Sequence, residues 1–144
     1  MLPPLLYGIA FAVVLLLHWL WPLPVFPHAA TFWVGVMAIS ASAALIAWGA
    51  ISLRKAGTNI NPSLPTTALV ASGPFRFSRN PLYVALSLMF VGLSLAVNSL
   101  WGVLALFPSL LVMHYGVILR EERYLEAKFG ESYRQYCSVV RRYL

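Results

Sequence analysis

Charge is absent from two long stretches of this chain. Residues 1–53 and 80–119 contain no Asp, Glu, Lys or Arg, and they make up most of the 144 residues. A soluble monomer covers its surface with charged side chains, and so large an uncharged surface would aggregate in water. The chain is also 60% apolar and only 10% charged. These features predict an integral membrane protein and argue against an unusually apolar soluble one.

The uncharged stretches divide into four hydrophobic runs. A bilayer core about 30 Å thick takes roughly 20 apolar residues in an α-helix. Prolines close the first run, Arg54 and Lys55 close the second, and Asn98 and Ser99 separate the third from the fourth as a tight hairpin. We therefore predict an all-α membrane protein with one domain, 1–144, of about four transmembrane helices. The predicted helices are 5–21, 31–53, 81–97 and 100–119, with a connector 54–80 and an amphipathic helical tail 120–144.

The positive charges predict the orientation. Every Lys and Arg lies within 54–79 or 120–142. Four spans put these two segments on the same side of the bilayer, and the positive-inside rule makes that side cytoplasmic. Trp19, Trp21 and Trp101 flank the opposite loops, as expected of an interfacial aromatic belt. We therefore expect both termini and any site built from charged residues to face the cytoplasm.

Composition argues against several other classes of site. The net charge of +6 suggests nucleic-acid binding, but such a footprint needs a soluble face, so we expect no nucleic-acid partner. A single cysteine, Cys137, excludes an internal disulfide. His18, His28 and His114 do not have metal-ligand spacing, so we predict no metal site. His114 remains a candidate lining residue in the cytoplasmic half of the fourth helix.

The tail has a helical period. One apolar and aromatic stripe runs along it, and Gly130 interrupts the pattern as a possible break. Such a helix either lies on the membrane surface or caps a site that faces the cytoplasm. The stripe consists of Leu125, Phe129, Tyr133, Tyr136, Val140 and Tyr143.

Two polar segments meet at the predicted cytoplasmic side, because the third and fourth helices form an antiparallel hairpin. In residues 73–83, Gly73 and two prolines predict an irregular backbone whose unpaired N–H groups suit an anionic or polar ligand. The alternative is that Arg76 and Arg79 are only positive-inside anchors.

The second segment, 120–123, carries two adjacent glutamates at a helix end where the dipole prefers cations. This unfavourable placement suggests a role in holding hydroxyls or an ammonium group of a ligand. The alternative is a solvated helix end with local ion pairs, such as Glu121 with Arg123, or Arg120 with nearby acids.

The order of these segments resembles the isoprenylcysteine carboxyl methyltransferase and phospholipid methyltransferase superfamily. Its signature is Arg-His-Pro-x-Tyr, a hydrophobic stretch, Glu-Glu, and then Leu, Phe-Gly and Tyr. The chain resembles it over roughly residues 54–144, and segments 56–62 and 68–74 look like those of bacterial members, which implies the bacterial inner membrane. The matching residues are Arg79-Asn80-Pro81-Leu82-Tyr83, Glu121-Glu122, Leu125, Phe129-Gly130 and Tyr133.

The resemblance implies S-adenosylmethionine as the cofactor and a lipophilic molecule as the methyl acceptor. The pocket would lie at the cytoplasmic end of the third and fourth helices, under the connector and the tail. Candidate catalytic residues are Tyr83, near the sulfonium, Glu122, beside the cofactor-binding Glu121, and Arg120, which would hold an acidic acceptor or head group. The residues carried over as cofactor-binding are Leu69, Val70, Phe75, Asn80, Pro81, Leu82, Tyr83 and Glu121.

The chain departs from the family signature at one position, where Asn80 replaces the usual histidine. Asparagine forms hydrogen bonds but does not titrate near neutral pH, so it cannot act as a general base. A carboxylate or thiolate acceptor needs no base, whereas an amine must lose a proton before attack. An isoprenoid-like carboxylate or thiol and a lipid amine all stay open as acceptors. The first two helices carry little of the resemblance, and we expect the acceptor to enter beside them.

Two other functions remain possible from the sequence. A non-catalytic membrane scaffold with the same fold is compatible with the loss of the histidine. A small four-helix transporter is less favoured, since no predicted span contains an Asp, Glu, Lys or Arg to couple transport. The oligomeric state is not predictable, although Gly92, Ser94 and Gly102 offer small surfaces for helix packing.

Overall fold

The computed structural model describes residues 2–59 and 64–143. Within these ranges all regular secondary structure is helical, which confirms the all-α prediction. The α-helices are α1 (Pro3–Leu20), α2 (His28–Lys55), α3 (Pro81–Ala96), α4 (Leu100–Met113), α5 (Leu119–Phe129) and α6 (Glu131–Val139). A short 3₁₀ helix, Gly73–Arg76, precedes α3, and a π-helical turn, His114–Ile118, joins α4 to α5.

Three of the helices are long and apolar enough to cross a bilayer, so the chain is an integral membrane protein. They are Pro3–Leu20, His28–Lys55 and the continuous helix Leu100–Phe129. The fourth predicted span, α3, has only 16 residues. At 1.5 Å per residue it is about 24 Å long, slightly less than the hydrocarbon core. The full count of four spans therefore stays a prediction.

Prolines and cations define the helix ends close to the predicted positions. Pro3 and Pro81 occupy the first turns of α1 and α3, where a missing N–H costs nothing. Arg54 and Lys55 lie in the last turn of α2, where the helix dipole favours cations. The largest difference from the prediction is at residue 119, since the helix continues through it into α5.

Helix α3 lies at the centre of the fold. It packs most extensively against α2, and it also contacts α1 and α4. At the α2–α3 crossing the backbones are so close that a Cβ on Gly35 would lie 2.6 Å from the carbonyl oxygen of Gly92. Gly102 likewise leaves no room for a Cβ beside Ser94. The predicted small-residue surfaces are therefore used for packing within the chain.

The α3–α4 hairpin is closed by Asn98, which has a φ of 51°. Its Oδ1 accepts hydrogen bonds from the backbone N–H groups of Val25 and Phe26, at 3.1 and 3.3 Å. Its Nδ2 donates to the carbonyl of Phe26 at 2.8 Å. The tight hairpin agrees with the sequence prediction, whereas its attachment to the α1–α2 loop has no local signal.

The tail is two helices rather than the single one predicted. Gly130, with a φ of 53°, ends α5 and turns the chain back into α6. Tyr133, Tyr136 and Val140 are buried and pack with Leu69 of the connector. The break at Gly130 is confirmed. The stripe from Leu125 to Val140 packs together with the connector, so this part of the tail forms a cap, whereas Tyr143 is exposed.

Candidate active site

A cavity of about 260 Å³ lies between the charged ends of the helices and the tail. Every residue predicted to bind a cofactor lines it, and so does Glu122. They come from the connector, from the start of α3 and from α5. The predicted residues on its wall are Leu69, Val70, Phe75, Asn80, Pro81, Leu82, Tyr83, Glu121 and Glu122.

The loop before α3 is shaped by Gly73. Its φ of 60° belongs to the left-handed region that favours glycine, and a Cβ there would collide with Ser52 of α2. This close approach carries the 3₁₀ helix to the cavity and gives Phe75 its position on the wall.

Most backbone N–H groups of this loop are already hydrogen-bonded within the chain, contrary to the sequence-based expectation. Those of Phe75 and Phe77 donate to the carbonyls of Ser72 and Pro74 at 3.2 and 3.1 Å. The N–H of Arg79 donates to the carbonyl of Arg141 in the tail at 2.9 Å. The loop therefore contributes side chains to the site rather than a row of open N–H donors.

Tyr83 and Glu121 form a polar pair on the cavity wall. The Tyr83 hydroxyl donates to Oε2 of Glu121 at 2.5 Å, joining the first turn of α3 to α5. Oε1 of Glu121 makes no hydrogen bond to any part of the chain that the structure describes. One carboxylate oxygen is thus held by the protein, and the other is an open acceptor beside the cavity.

Glu122 has a different environment from its neighbour. Its Oε1 lies 3.3 Å from Nη1 of Arg79, and the guanidinium of Arg142 contacts both carboxylate oxygens, the closest approach being 2.9 Å. The side chains of Arg79 and Glu122 are only 14% and 13% exposed. Glu122, not Glu121, is thus the acid in the ion-pair network, and its partners are distant in sequence rather than the local Arg120 and Arg123.

The end of the tail is bound directly to the loop. Asn80 is buried, and its Nδ2 donates to the carbonyl of Arg142 at 3.0 Å. The Tyr136 hydroxyl donates to the carbonyl of Phe75 at 2.6 Å. Burial raises the pKa of Tyr136 to about 12, so this hydroxyl keeps its proton at neutral pH. The residue that replaces the family histidine therefore fastens the cap over the cavity.

Much of the remaining cavity wall is apolar, and part of it comes from the first two helices. Helix α2 packs on α3, whereas α1 packs on α3 and α4, and residues of both α1 and α2 line the cavity. Sequence reasoning places the acceptor entrance at these helices but identifies no residues, since a hydrophobic span carries no local signal for a lining position. The apolar wall consists of Pro3, Pro4, Ile46, Ala50, Leu53, Leu82 and Leu86.

Two candidates from the sequence lie elsewhere. Arg120 is exposed and does not line the cavity, because its position on α5 points it away from Glu121 and Glu122. Its acceptor-binding role stays a prediction that the geometry does not favour. The ring of His114 instead hydrogen-bonds the Tyr143 hydroxyl, and it too lies off the cavity wall.

Sequence reasoning missed Arg142 and the contact of Cys137. Nη1 of Arg79 donates to Sγ of Cys137 at 2.7 Å. The only sequence signal was helical spacing, which places Cys137 one turn after Tyr133. Within the described ranges, no group of three His, Cys, Asp or Glu side chains is arranged to hold a metal ion.

Comparison with known proteins gives a family and one relative. A family model described as phospholipid methyltransferase matches residues 30–132. An uncharacterised protein from Haemophilus influenzae is 38% identical over 63 residues, which are 44% of this chain and the whole of that relative. No solved structure matches.

Proposed function

Because this chain belongs to the phospholipid methyltransferase family, we propose that it transfers a methyl group from S-adenosylmethionine to a lipophilic acceptor. The proposed site is the cavity under the tail. One observation carries the proposal. Residues that are far apart in the sequence, and that match the methyltransferase signature in type and spacing, line a single cavity that is polar at one end and apolar towards the membrane.

The cavity residues fit such a cofactor by their chemistry. Oε1 of Glu121 is an open acceptor for a ribose hydroxyl or an ammonium group. Phe75 and Tyr83 offer aromatic faces on the same wall, and such faces attract a cation. When bound, S-adenosylmethionine would supply an electrophilic methyl group on a positively charged sulfur.

The acceptor would reach the cavity along its apolar wall. Residues of α1 and α2 line this part, and α3 forms its floor. Apolar surface at membrane depth favours an acyl or isoprenoid chain over a soluble metabolite. A lipid amine, an isoprenoid-like carboxylate and an isoprenoid thiol all fit this wall, and the head group is left to the polar end.

The chain's own contribution to catalysis would be positioning and exclusion of water. The Tyr83–Glu121 hydrogen bond and the Glu122 ion pairs hold the polar end in one arrangement before a ligand binds. The cap formed by α5 and α6 covers this end. Alignment of two reactants in a dry site supplies a large share of the rate of many transfers. Asn80 contributes through the cap and not as a base.

The proposal is tested first by calorimetry on detergent-purified protein. S-adenosylmethionine and S-adenosylhomocysteine should both bind to the wild-type chain. Glu121→Gln and Tyr83→Phe should each weaken binding about tenfold, which corresponds to about 1.4 kcal/mol for a lost hydrogen bond to a charged group. Glu126→Gln and Tyr124→Phe are matched controls on exposed positions of α5 and should bind as the wild type does.

Failure of the folded wild-type chain to bind either ligand would overturn the enzyme proposal and favour the scaffold. If binding is found, transfer of a radiolabelled methyl group into a lipid extract identifies the acceptor class. The proposed cytoplasmic orientation has its own test. A green fluorescent protein fused after residue 144 should fluoresce, whereas alkaline phosphatase fused there should be inactive.

A further inference from the structure

A second cavity, of about 350 Å³, lies between α5 and α6 on the other side of Glu122. We call it the arginine cleft. Four arginines and two glutamates line it, so the cations exceed the anions by two. The charged residues are Arg79, Arg123, Arg134, Arg142, Glu122 and Glu126, and Leu119, Tyr133 and Cys137 complete the wall.

The two glutamates do not neutralise the arginine cleft. Glu122 is shared between Arg79 and Arg142. Arg134 lies 3.7 Å from Glu126 and 3.1 Å from Glu131, which is outside the cleft wall, and all three side chains are more than half exposed. Exposed ion pairs of this kind contribute little.

Arg123 has the fewest polar partners of the four arginines. Its Nε donates to the carbonyl of Leu119 at 3.2 Å. Within residues 2–59 and 64–143, no carboxylate lies within ion-pairing distance of it. Its terminal amino groups are thus open donors at the edge of the arginine cleft.

Arg79 adds an unsatisfied donor. Its side chain is 14% exposed, and its Nε is buried with no hydrogen-bond partner among the described residues. An unpaired buried donor is unfavourable, and it becomes satisfied if a small shift of the side chain brings it to an anionic oxygen. Arg79 lies on the walls of both cavities.

We propose that the arginine cleft binds a phosphate group, as a second site separate from the methyl-transfer cavity. Guanidinium groups bind phosphate oxygens through paired hydrogen bonds. This cleft presents four of them, from the loop before α3, from α5, and from α6 and the segment after it. Helix α5 continues the apolar helix that begins at Leu100, so the cleft lies where that helix leaves the bilayer, at the depth of lipid head groups. The phosphate comes either from a lipid head group or from free phosphate.

The test uses the full chain in an uncharged detergent at about 150 mM salt, where long-range attraction is screened. The probes are dioctanoyl phosphatidylglycerol, inorganic phosphate, and dioctanoyl glycerol, which has the same chains without phosphate. The readout is the rise in unfolding temperature with probe concentration. At least one phosphate-bearing probe should give a saturable rise, and dioctanoyl glycerol should give none.

Two double variants decide whether the arginine cleft is the site. Arg123→Gln with Arg134→Gln should raise the half-saturating concentration at least tenfold. Lys128→Gln with Arg141→Gln removes the same charge from exposed positions outside the cleft and should change it less than twofold. Saturation by phosphatidylglycerol alone identifies a lipid as the source, and saturation by both identifies a general phosphate site.

The proposal is overturned if neither phosphate-bearing probe saturates, or if both double variants weaken binding equally. The arginines would then act only through net charge. The outcome is independent of methyl transfer, since neither Arg123 nor Arg134 lines the first cavity. S-adenosylmethionine binding measured without phosphate should be the same in the first double variant and the wild type.

Discussion

The two ends of the helix bundle are held together by different interactions. At one end, where the described chain carries no full charge, Asn98 uses three hydrogen bonds to join the hairpin to the α1–α2 loop. At the opposite, charged end, charged side chains meet around two cavities, and Glu121 and Arg79 keep polar atoms that the described chain does not satisfy. The uncharged end also holds buried polar atoms without a partner in the described chain, Nδ1 of His18 and Oγ of Ser99, so the two ends differ in charge and in their cavities rather than in polar satisfaction.

The largest effect should come from breaking the ion-pair network of Glu122 at the charged end. Glu122→Ala leaves two guanidinium groups without their shared partner, and removal of one member of a buried ion pair costs about 3 kcal/mol. We expect a loss of stability of this order in urea unfolding, together with weaker cofactor binding. Glu126→Ala, at an exposed position of the same helix, should change stability by about 0.5 kcal/mol or less. Equal effects of the two changes would contradict the network.

A smaller effect should follow from removing the hydrogen bonds of Asn98 at the uncharged end. Asn98→Ala removes three hydrogen bonds and puts alanine at a φ of 51°, a region that costs an alanine about 1 kcal/mol. At about 0.5 kcal/mol for each part-buried bond, added to the backbone cost, we expect a loss of about 2.5 kcal/mol of unfolding free energy, with cofactor affinity unchanged. Asn98→Gly loses the same bonds without the backbone strain and should be less destabilised. A change in cofactor affinity in either variant would mean that the two ends are coupled.

The smallest effect should come from loosening the cap. Tyr136→Phe removes the hydrogen bond to the Phe75 carbonyl and should cost about 1 kcal/mol. Because burial raises the pKa of Tyr136 from 10.0 to about 12, the folded state holds this proton more tightly than the unfolded state does. Its contribution is therefore complete below pH 10 and declines as the pH rises towards 12.

Unfolding measured from about pH 8 to about pH 11 checks this prediction. The stability difference between wild type and Tyr136→Phe should be constant up to about pH 10 and should shrink above it. A difference that grows with pH would contradict the assigned direction of the shift. Tyr124→Phe is the matched control, since Tyr124 is an exposed tyrosine of α5.

The parts of the fold that are predictable depend on local sequence signals. Hydrophobic length, prolines and terminal cations define the helix ends closely, except at position 119. There the change from apolar to charged residues does not end the helix, because α5 is stabilised by packing against α6. Gly130 is predictable as a break because a helix end there depends only on the local backbone conformation, which glycine favours.

The site is predictable only where a family pattern carries it. The spacing of Tyr83 and Glu121 locates both on one cavity, but no local rule distinguishes Glu121 from Glu122. Their different partners arise from the fold, which brings Arg142 back across the α5–α6 turn to Glu122. The sequence predicts open N–H groups in the loop because it does not reveal that the tail occupies one of them.

The continuous helix Leu100–Phe129 has a mechanical consequence. Its 30 residues are about 45 Å long, whereas the hydrocarbon core is about 30 Å thick. The final turns, which carry Glu121 and Glu122, therefore extend beyond a hydrocarbon core that begins at Leu100. The π-helical turn His114–Ile118 lies between these turns and the apolar part of the helix. Both carboxylates lie on this one continuous helix, so a tilt of the helix would displace them together.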